Sequence, residues 1–125
     1  MGTIVIKPER DTDLYVGWST IVEAPVWWGP RAEVTQYLIE DAAKPYGDST
    51  SPEARLARAD ANGTSALGGF AFFGRWDDED LIYEQRGLLP RRCLIEACEA
   101  LAREDESAVW DLLEPLEDGM EVRRG

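Results

Sequence analysis

The chain has 125 residues, with 25 Asp and Glu against 13 Lys and Arg, so its formal charge at neutral pH is -12. It contains no histidine, which excludes Ser-His-Asp and Cys-His catalysis as well as His-ligated zinc sites. The negative charge argues against direct binding to nucleic acid, because the protein would add anions to a polyanion.

The length and an apolar fraction of 44% predict one domain with its own hydrophobic core. No stretch approaches the ~20 apolar residues of a membrane span, and the first residues enter a β-branched run without an apolar signal core. We therefore expect a cytoplasmic protein that makes no membrane contact. Cys93 and Cys98 are predicted to be reduced core thiols, because five positions along a helix turn them about 140° apart.

The first predicted unit is a hairpin. The β-branched run at residues 3–7 ends at Pro8. After a polar turn, residues 14–22 alternate with period two, and their even-numbered side chains are predicted to face the core. Residues 26–28 follow as a further short strand or as the lead-in to a helix.

Two helices are predicted next. Pro30 and Glu33 mark the start of the first helix, which should end before Pro45. Ser51 is the predicted N-cap of the second helix, which should run to about residue 61 and stop at Gly63.

A second hairpin is predicted from the alternation in residues 68–76, a polar turn at 77–80 and a returning strand at 81–83. A helix over residues 90–104 and a last helix capped by Asp105 complete the pattern. Residues 117–125 are expected to be frayed. Three tryptophans fit the apolar stripes of these elements and are predicted to be core residues: Trp18, Trp76 and Trp110.

The element order is hairpin, helices, hairpin, helices. It predicts a single compact α+β domain over residues 1–125, in which a small, mostly antiparallel sheet of about four strands carries three to four helices on one face.

The sequence offers little catalytic or metal-binding chemistry. Asp77, Asp78, Glu79 and Asp80 form its densest cluster of oxygen ligands, but four consecutive acids point in divergent directions, which favours a solvated turn over a cation site. Residues 63–69 are small enough to cradle an anion but lack the Gly-Lys-Ser/Thr ending of a phosphate loop, so a linker is favoured. We predict no cofactor, no metal and no catalytic residue.

Trp27 and Trp28 are adjacent, so in an extended segment their side chains point to opposite faces. At least one should be partly exposed, as in the contact centres of protein interfaces. The alternative is that a helix covers one ring and the sheet covers the other.

The acids are unevenly distributed. Residues 77–121 hold 15 Asp and Glu against four Arg, whereas residues 1–76 hold 10 acids against seven bases. The C-terminal helices place seven of these acids at outward positions: Glu96, Glu99, Glu104, Glu106, Asp111, Glu114 and Glu117. This is either a solvated helical face or a surface that steers a basic protein or imitates a nucleic-acid backbone.

The leading hypothesis is a small acidic protein-binding module that inhibits or antagonises a basic nucleic-acid-processing protein, of the immunity or phage anti-defence type. The candidate partner-binding residues are Trp27, Trp28, Asp77, Asp78, Glu79, Asp80, Glu96 and Glu99. Two alternatives stay open. One is a non-catalytic subunit of a larger assembly, for example of a phage, or a homo-oligomer that uses Trp27, Trp28 and the strand edges. The other is an acid-base enzyme that works through carboxylates.

Overall fold

A computed structural model of the chain describes residues 3–43, 51–66, 74–76 and 80–115. The strands in this part are β1 (Thr3–Ile6), β2 (Tyr15–Ser19), β3 (Ala24–Gly29), β4 (Asp80–Tyr83) and β5 (Gly87–Pro90). The α-helices are α1 (Arg31–Ala42), α2 (Pro52–Asn62), α3 (Leu94–Ala102) and α4 (Glu106–Leu112). The predicted α+β class is confirmed.

The N-terminal hairpin forms as predicted, with β1 antiparallel to β2 and Ile6 opposite Val16. β3 adds to β2 as a third antiparallel strand, which decides between the two interpretations of residues 26–28. Pro25 is tolerated in β3 because this strand is at the edge of the β1-β2-β3 sheet, where a missing N–H need not break a ladder.

The described part of the predicted second hairpin pairs with a later segment of the chain. Residues 81–83 pair antiparallel with β5, and Leu81 lies opposite Leu89. Residues 84–86 form the turn between the two strands, in which the Arg86 N–H donates to the Tyr83 carbonyl at 2.8 Å. Residues 68–73 and 77–79 of the predicted hairpin lie outside the described residues. Asp80 begins β4 rather than ending a turn. The described strands therefore form a sheet of three and a sheet of two, not one sheet of four.

Helices cover both faces of the three-stranded sheet, whereas the sequence predicted one covered face. Val5 and Tyr15 pack with residues of α1 and α2. Ile6, Val16 and Trp18 point the other way, as alternation requires, and pack with α3, α4 and the β4–β5 hairpin. Both sides of β2 are consequently buried.

Local signals place most helix ends. The Ser51 side chain accepts a hydrogen bond from the N–H of Ala54, and α2 ends at Gly63, whose φ of 88° suits glycine. The Asp105 side chain caps α4, as predicted. The predicted start of the preceding helix at residue 90 is wrong, because Pro90 is still paired in β5 and a 3₁₀ turn at Arg91–Cys93 separates it from α3.

The side chain of Arg91 is buried and joins three separate parts of the chain. One guanidinium nitrogen donates to the carbonyls of Gly74 and Arg75 at 2.6 and 3.1 Å. The other donates to the carbonyls of Lys7 and Gly63 at 2.7 and 3.0 Å. The planar fork of arginine satisfies this arrangement, and a lysine ammonium does not reproduce it.

We expect Arg91→Lys to lower the free energy of unfolding by about 3 kcal/mol, because buried carbonyls lose charge-assisted donors. Arg92→Lys is the matched control: this neighbouring side chain is 74% exposed, so its replacement should change stability by about 0.5 kcal/mol or less. Urea denaturation followed by tryptophan fluorescence measures both. Equal effects of the two substitutions would contradict the role given to Arg91.

Candidate functional site

The outward acids predicted for the C-terminal helices are exposed where the structure describes them, although Glu104 lies in the turn between α3 and α4 and Glu114 lies just beyond the end of α4. Six are exposed and together form what we call the acidic helical face: Glu96, Glu99, Glu104, Glu106, Asp111 and Glu114. Glu117 lies outside the described residues. Within the part of the chain that the structure describes, Glu96 and Glu99 form no ion pair, while Glu114 is 3.5 Å from Arg92.

A small groove opens on this face between α3 and α4. Its volume is about 120 Å³, with Glu96, Glu99 and Arg103 among the lining residues. The other lining residues are small or apolar: Ala100, Ala108 and Leu112. The nearest carboxylate to the Arg103 guanidinium is that of Asp105 at 3.9 Å, so the two glutamates keep their charge available to solvent.

The other acidic candidates are the four consecutive acids at residues 77–80. Asp77, Asp78 and Glu79 lie outside the described residues, and Asp80 is known here only as the first residue of β4. Over the described ranges, no group of three Asp, Glu or Cys side chains is placed to hold a metal ion.

Trp27 and Trp28 are both half-buried and lie on opposite faces of β3. Trp28 packs against the core shared with α3 and α4. Trp27 lies over Gly17, which has no side chain to obstruct it, and stacks on Tyr37 of α1 with ring centroids 5.1 Å apart. The sheet, a helix and the core thus cover part of both rings. A role of Trp27 or Trp28 in partner contact stays a prediction.

Trp27 and Tyr37 also line an open cavity of about 280 Å³. Its polar lining includes Glu40, Asp41 and the hydroxyl of Ser19. Asp41 is paired with the buried guanidinium of Arg55 at 2.9 Å, which leaves Glu40 as the exposed carboxylate there.

The three tryptophans predicted as core residues have different environments. Trp18 is fully buried, which confirms its prediction. Trp76 is half-buried, and its ring lies 4.4 and 4.9 Å from the guanidinium carbons of Arg10 and Arg91. Trp110 is 43% exposed, so its prediction is wrong. The helical stripe could not separate it from its neighbour Val109, which is the residue that α4 buries.

A polar cluster that sequence reasoning missed lies where β1, β2, α1 and α2 meet. Asp60 is at its centre: one carboxylate oxygen accepts from the Tyr15 hydroxyl at 2.7 Å and from the Lys7 ammonium at 3.0 Å. The other accepts from the Arg31 guanidinium at 2.6 Å. These residues are up to 53 positions apart in sequence, and no local motif marks them.

The cluster shifts the pKa of its members. Burial raises the pKa of the Asp60 carboxyl, but hydrogen bonds from Tyr15 and Lys7 and the charges of Lys7 and Arg31 outweigh burial and hold it below its ordinary value. Burial lowers the pKa of Lys7, but its partners Asp60 and Tyr15 outweigh burial and raise it above its ordinary value. A lysine whose ammonium form is stabilised in this way is not an activated nucleophile or base.

The thiol of Cys98 is not an activated nucleophile either. Burial, with a smaller contribution from Glu99, raises the pKa of Cys98 to about 12, which keeps it protonated at neutral pH. Cys93 is half-buried, and both cysteines are free thiols.

No helix within the described ranges has both the length and the apolar character needed to span a bilayer. Comparison of the chain with known protein families, with characterised proteins and with solved structures gave no match. The functional proposal therefore depends on the charges, grooves and contacts described above.

The Asp60 cluster predicts a pH-dependent contribution to stability. Because the carboxyl pKa is lowered by folding, this contribution is present above the unfolded value of about 4 and is lost as the pH falls through the folded value. Asp60→Asn should therefore destabilise the protein at pH 7 by about 1 kcal/mol, and the difference from the wild type should shrink below about pH 4. Urea denaturation across this pH range measures it.

Asp11→Asn is the matched control, because Asp11 is exposed in the loop between β1 and β2. Its effect should be small at every pH. A pH-independent effect of Asp60→Asn would show that the lowered pKa is not the source of the stabilisation.

Proposed function

We propose that the protein binds a basic protein partner through its acidic helical face and acts as an antagonist of a nucleic-acid-processing protein. The observation that carries the proposal is the set of exposed carboxylates on two packed helices, among which Glu96 and Glu99 form no ion pair with any described residue. Basic surfaces that bind phosphate backbones are the natural complement of such a field.

The rigidity of the face supports this proposal. Ala97 and Cys98 on α3 and Val109 on α4 are buried in one core cluster, which fixes the two helices against the sheet. The backbone positions from which the acids of α3 and α4 project are consequently fixed relative to one another. The backbone of this face then loses little conformational freedom on binding a partner.

The groove between the helices suits one side chain of such a partner. Its alanines and Leu112 provide contact for a methylene stem, while Glu96 and Glu99 provide acceptors for a charged head. Arginine and lysine side chains have both parts.

The test is a charge reversal on α3. We expect Glu96→Lys together with Glu99→Lys to lower the association rate constant with a basic partner by about tenfold or more at low salt. The partner is first captured from an extract of the native cell by the tagged wild-type protein at low and moderate salt, then purified for surface plasmon resonance.

The control is Asp11→Lys together with Glu40→Lys, which changes the net charge by the same amount at exposed positions in the N-terminal half. It should retain most of the association rate. If both pairs reduced the rate equally, only net charge would matter and the acidic helical face would not be the binding site. Antagonism requires in addition that nucleic acid and the wild-type protein compete for the captured partner.

A further inference from the structure

Trp110 is a large aromatic side chain that α4 presents to solvent, with 43% of its surface exposed. Glu106 lies one turn before it on the same stripe of α4, and the exposed Glu114 lies just beyond the end of the helix, in a β-bridge with Leu88. Asp111 follows Trp110 directly and is also exposed. The exposed aromatic ring thus lies on the same helix as two acids of the acidic helical face, Glu106 and Asp111.

An open cavity of about 350 Å³ lies beside this ring. Its apolar lining consists of Trp110, Leu113 and Pro115. Arg86 and Glu114 provide the polar lining. An apolar wall with a polar edge is the arrangement found at the centres of protein interfaces, where tryptophan and arginine are enriched.

The backbone holds this cavity in place. The N–H of Leu88 donates to the Glu114 carbonyl at 2.8 Å, and the N–H of Glu114 donates to the Leu88 carbonyl at 2.7 Å. Gly87 permits this close approach, because a Cβ there would be 2.8 Å from the carbonyl oxygen of Glu114. These bonds hold residues 113–115, which line the cavity, against β5 before any partner arrives.

Arg86 orders the tryptophan without reversing the local charge. Its guanidinium carbon lies 4.7 Å from the centroid of the Trp110 ring, and its nitrogen is 3.3 Å from the carboxylate of Glu84. Glu114, which lines the same cavity, is in turn 3.5 Å from Arg92, so each of the two arginines is paired with one carboxylate. Glu106 and Asp111 are two further exposed acids on α4, and they leave these six groups with a negative net charge.

We propose that this cavity is the apolar centre of the partner interface and receives one large apolar side chain that Lys or Arg residues flank in the partner's chain. This inference rests on the proposed function, because it adds an anchoring contact to the same acidic helical face. The carboxylates select the basic flanks, and the walls of Trp110, Leu113 and Pro115 select the apolar side chain.

Fluorescein-labelled heptapeptides test this inference. One peptide has a central Leu between paired lysines, a second has Gly in place of Leu, and a third has Leu between paired glutamates. Fluorescence anisotropy at low salt should give the wild-type protein an affinity for the Lys-Leu peptide about tenfold higher than for the Lys-Gly peptide, which corresponds to one buried aliphatic side chain. The glutamate peptide should bind weakest.

Trp110→Ala should abolish the preference for Leu over Gly and leave the affinity for the Lys-Gly peptide unchanged, while Trp110→Phe should keep most of the preference. Because the ring is exposed, these variants should fold, and circular dichroism checks it. Glu96→Lys with Glu99→Lys should weaken both lysine peptides and preserve their ratio, so that a failure of the proposed function appears separately. A preference for Leu that survives Trp110→Ala, tightest binding of the glutamate peptide, or no binding of any peptide would overturn the inference.

Discussion

The guanidinium of Arg91 connects the end of β1, the C-terminus of α2 and residues 74–75 through four hydrogen bonds to backbone carbonyls. It lies three residues before α3, in the 3₁₀ turn that follows β5. The same side chain therefore holds these three segments together and fixes the point from which α3 starts. Because α3 and α4 share one core cluster with the sheet, the orientation of the acidic helical face depends on this buried cation together with that core.

The use of basic residues inside the fold sharpens the charge asymmetry. Arg55 is buried and paired with Asp41, Arg91 is buried among carbonyls, and Lys7 and Arg31 are held by Asp60. These cations have structural partners in the N-terminal half, whereas the acids of α3 and α4 are mostly directed to solvent. The field outside the protein is consequently more one-sided than the number of charged residues indicates, since buried and paired charges act mainly at short range.

Local signals carried the sequence predictions that succeeded. Turn residues and period-two alternation predicted the β1–β2 hairpin, and caps at Ser51 and Asp105 predicted two helix starts. The features that sequence reasoning missed needed tertiary information: no local signal marks β5, and only packing shows that residues 81–83 pair with it. Adjacent Arg91 and Arg92 are equivalent in sequence, yet one is buried and the other exposed. Val109 and Trp110 differ in the same way, and Lys7 and Asp60 meet across 53 positions. The outward acids were predictable because helical periodicity alone places them.

Charge and apolar contact have different consequences for a protein that competes with nucleic acid. A face made only of carboxylates would attract many basic proteins, and salt would weaken all of those complexes alike. It would raise the rate of encounter more than the lifetime of any one complex. Selection of one partner requires a contact that other basic proteins cannot make. The cavity beside Trp110 would be a contact of this kind, because its preformed apolar walls would accept a side chain of matching shape. A partner that presents only basic side chains would gain no contact with Arg86, which is itself a cation and is already paired with Glu84. In the function proposed here, the carboxylates would bring the partner to the face and the tryptophan cavity would determine which partner stays.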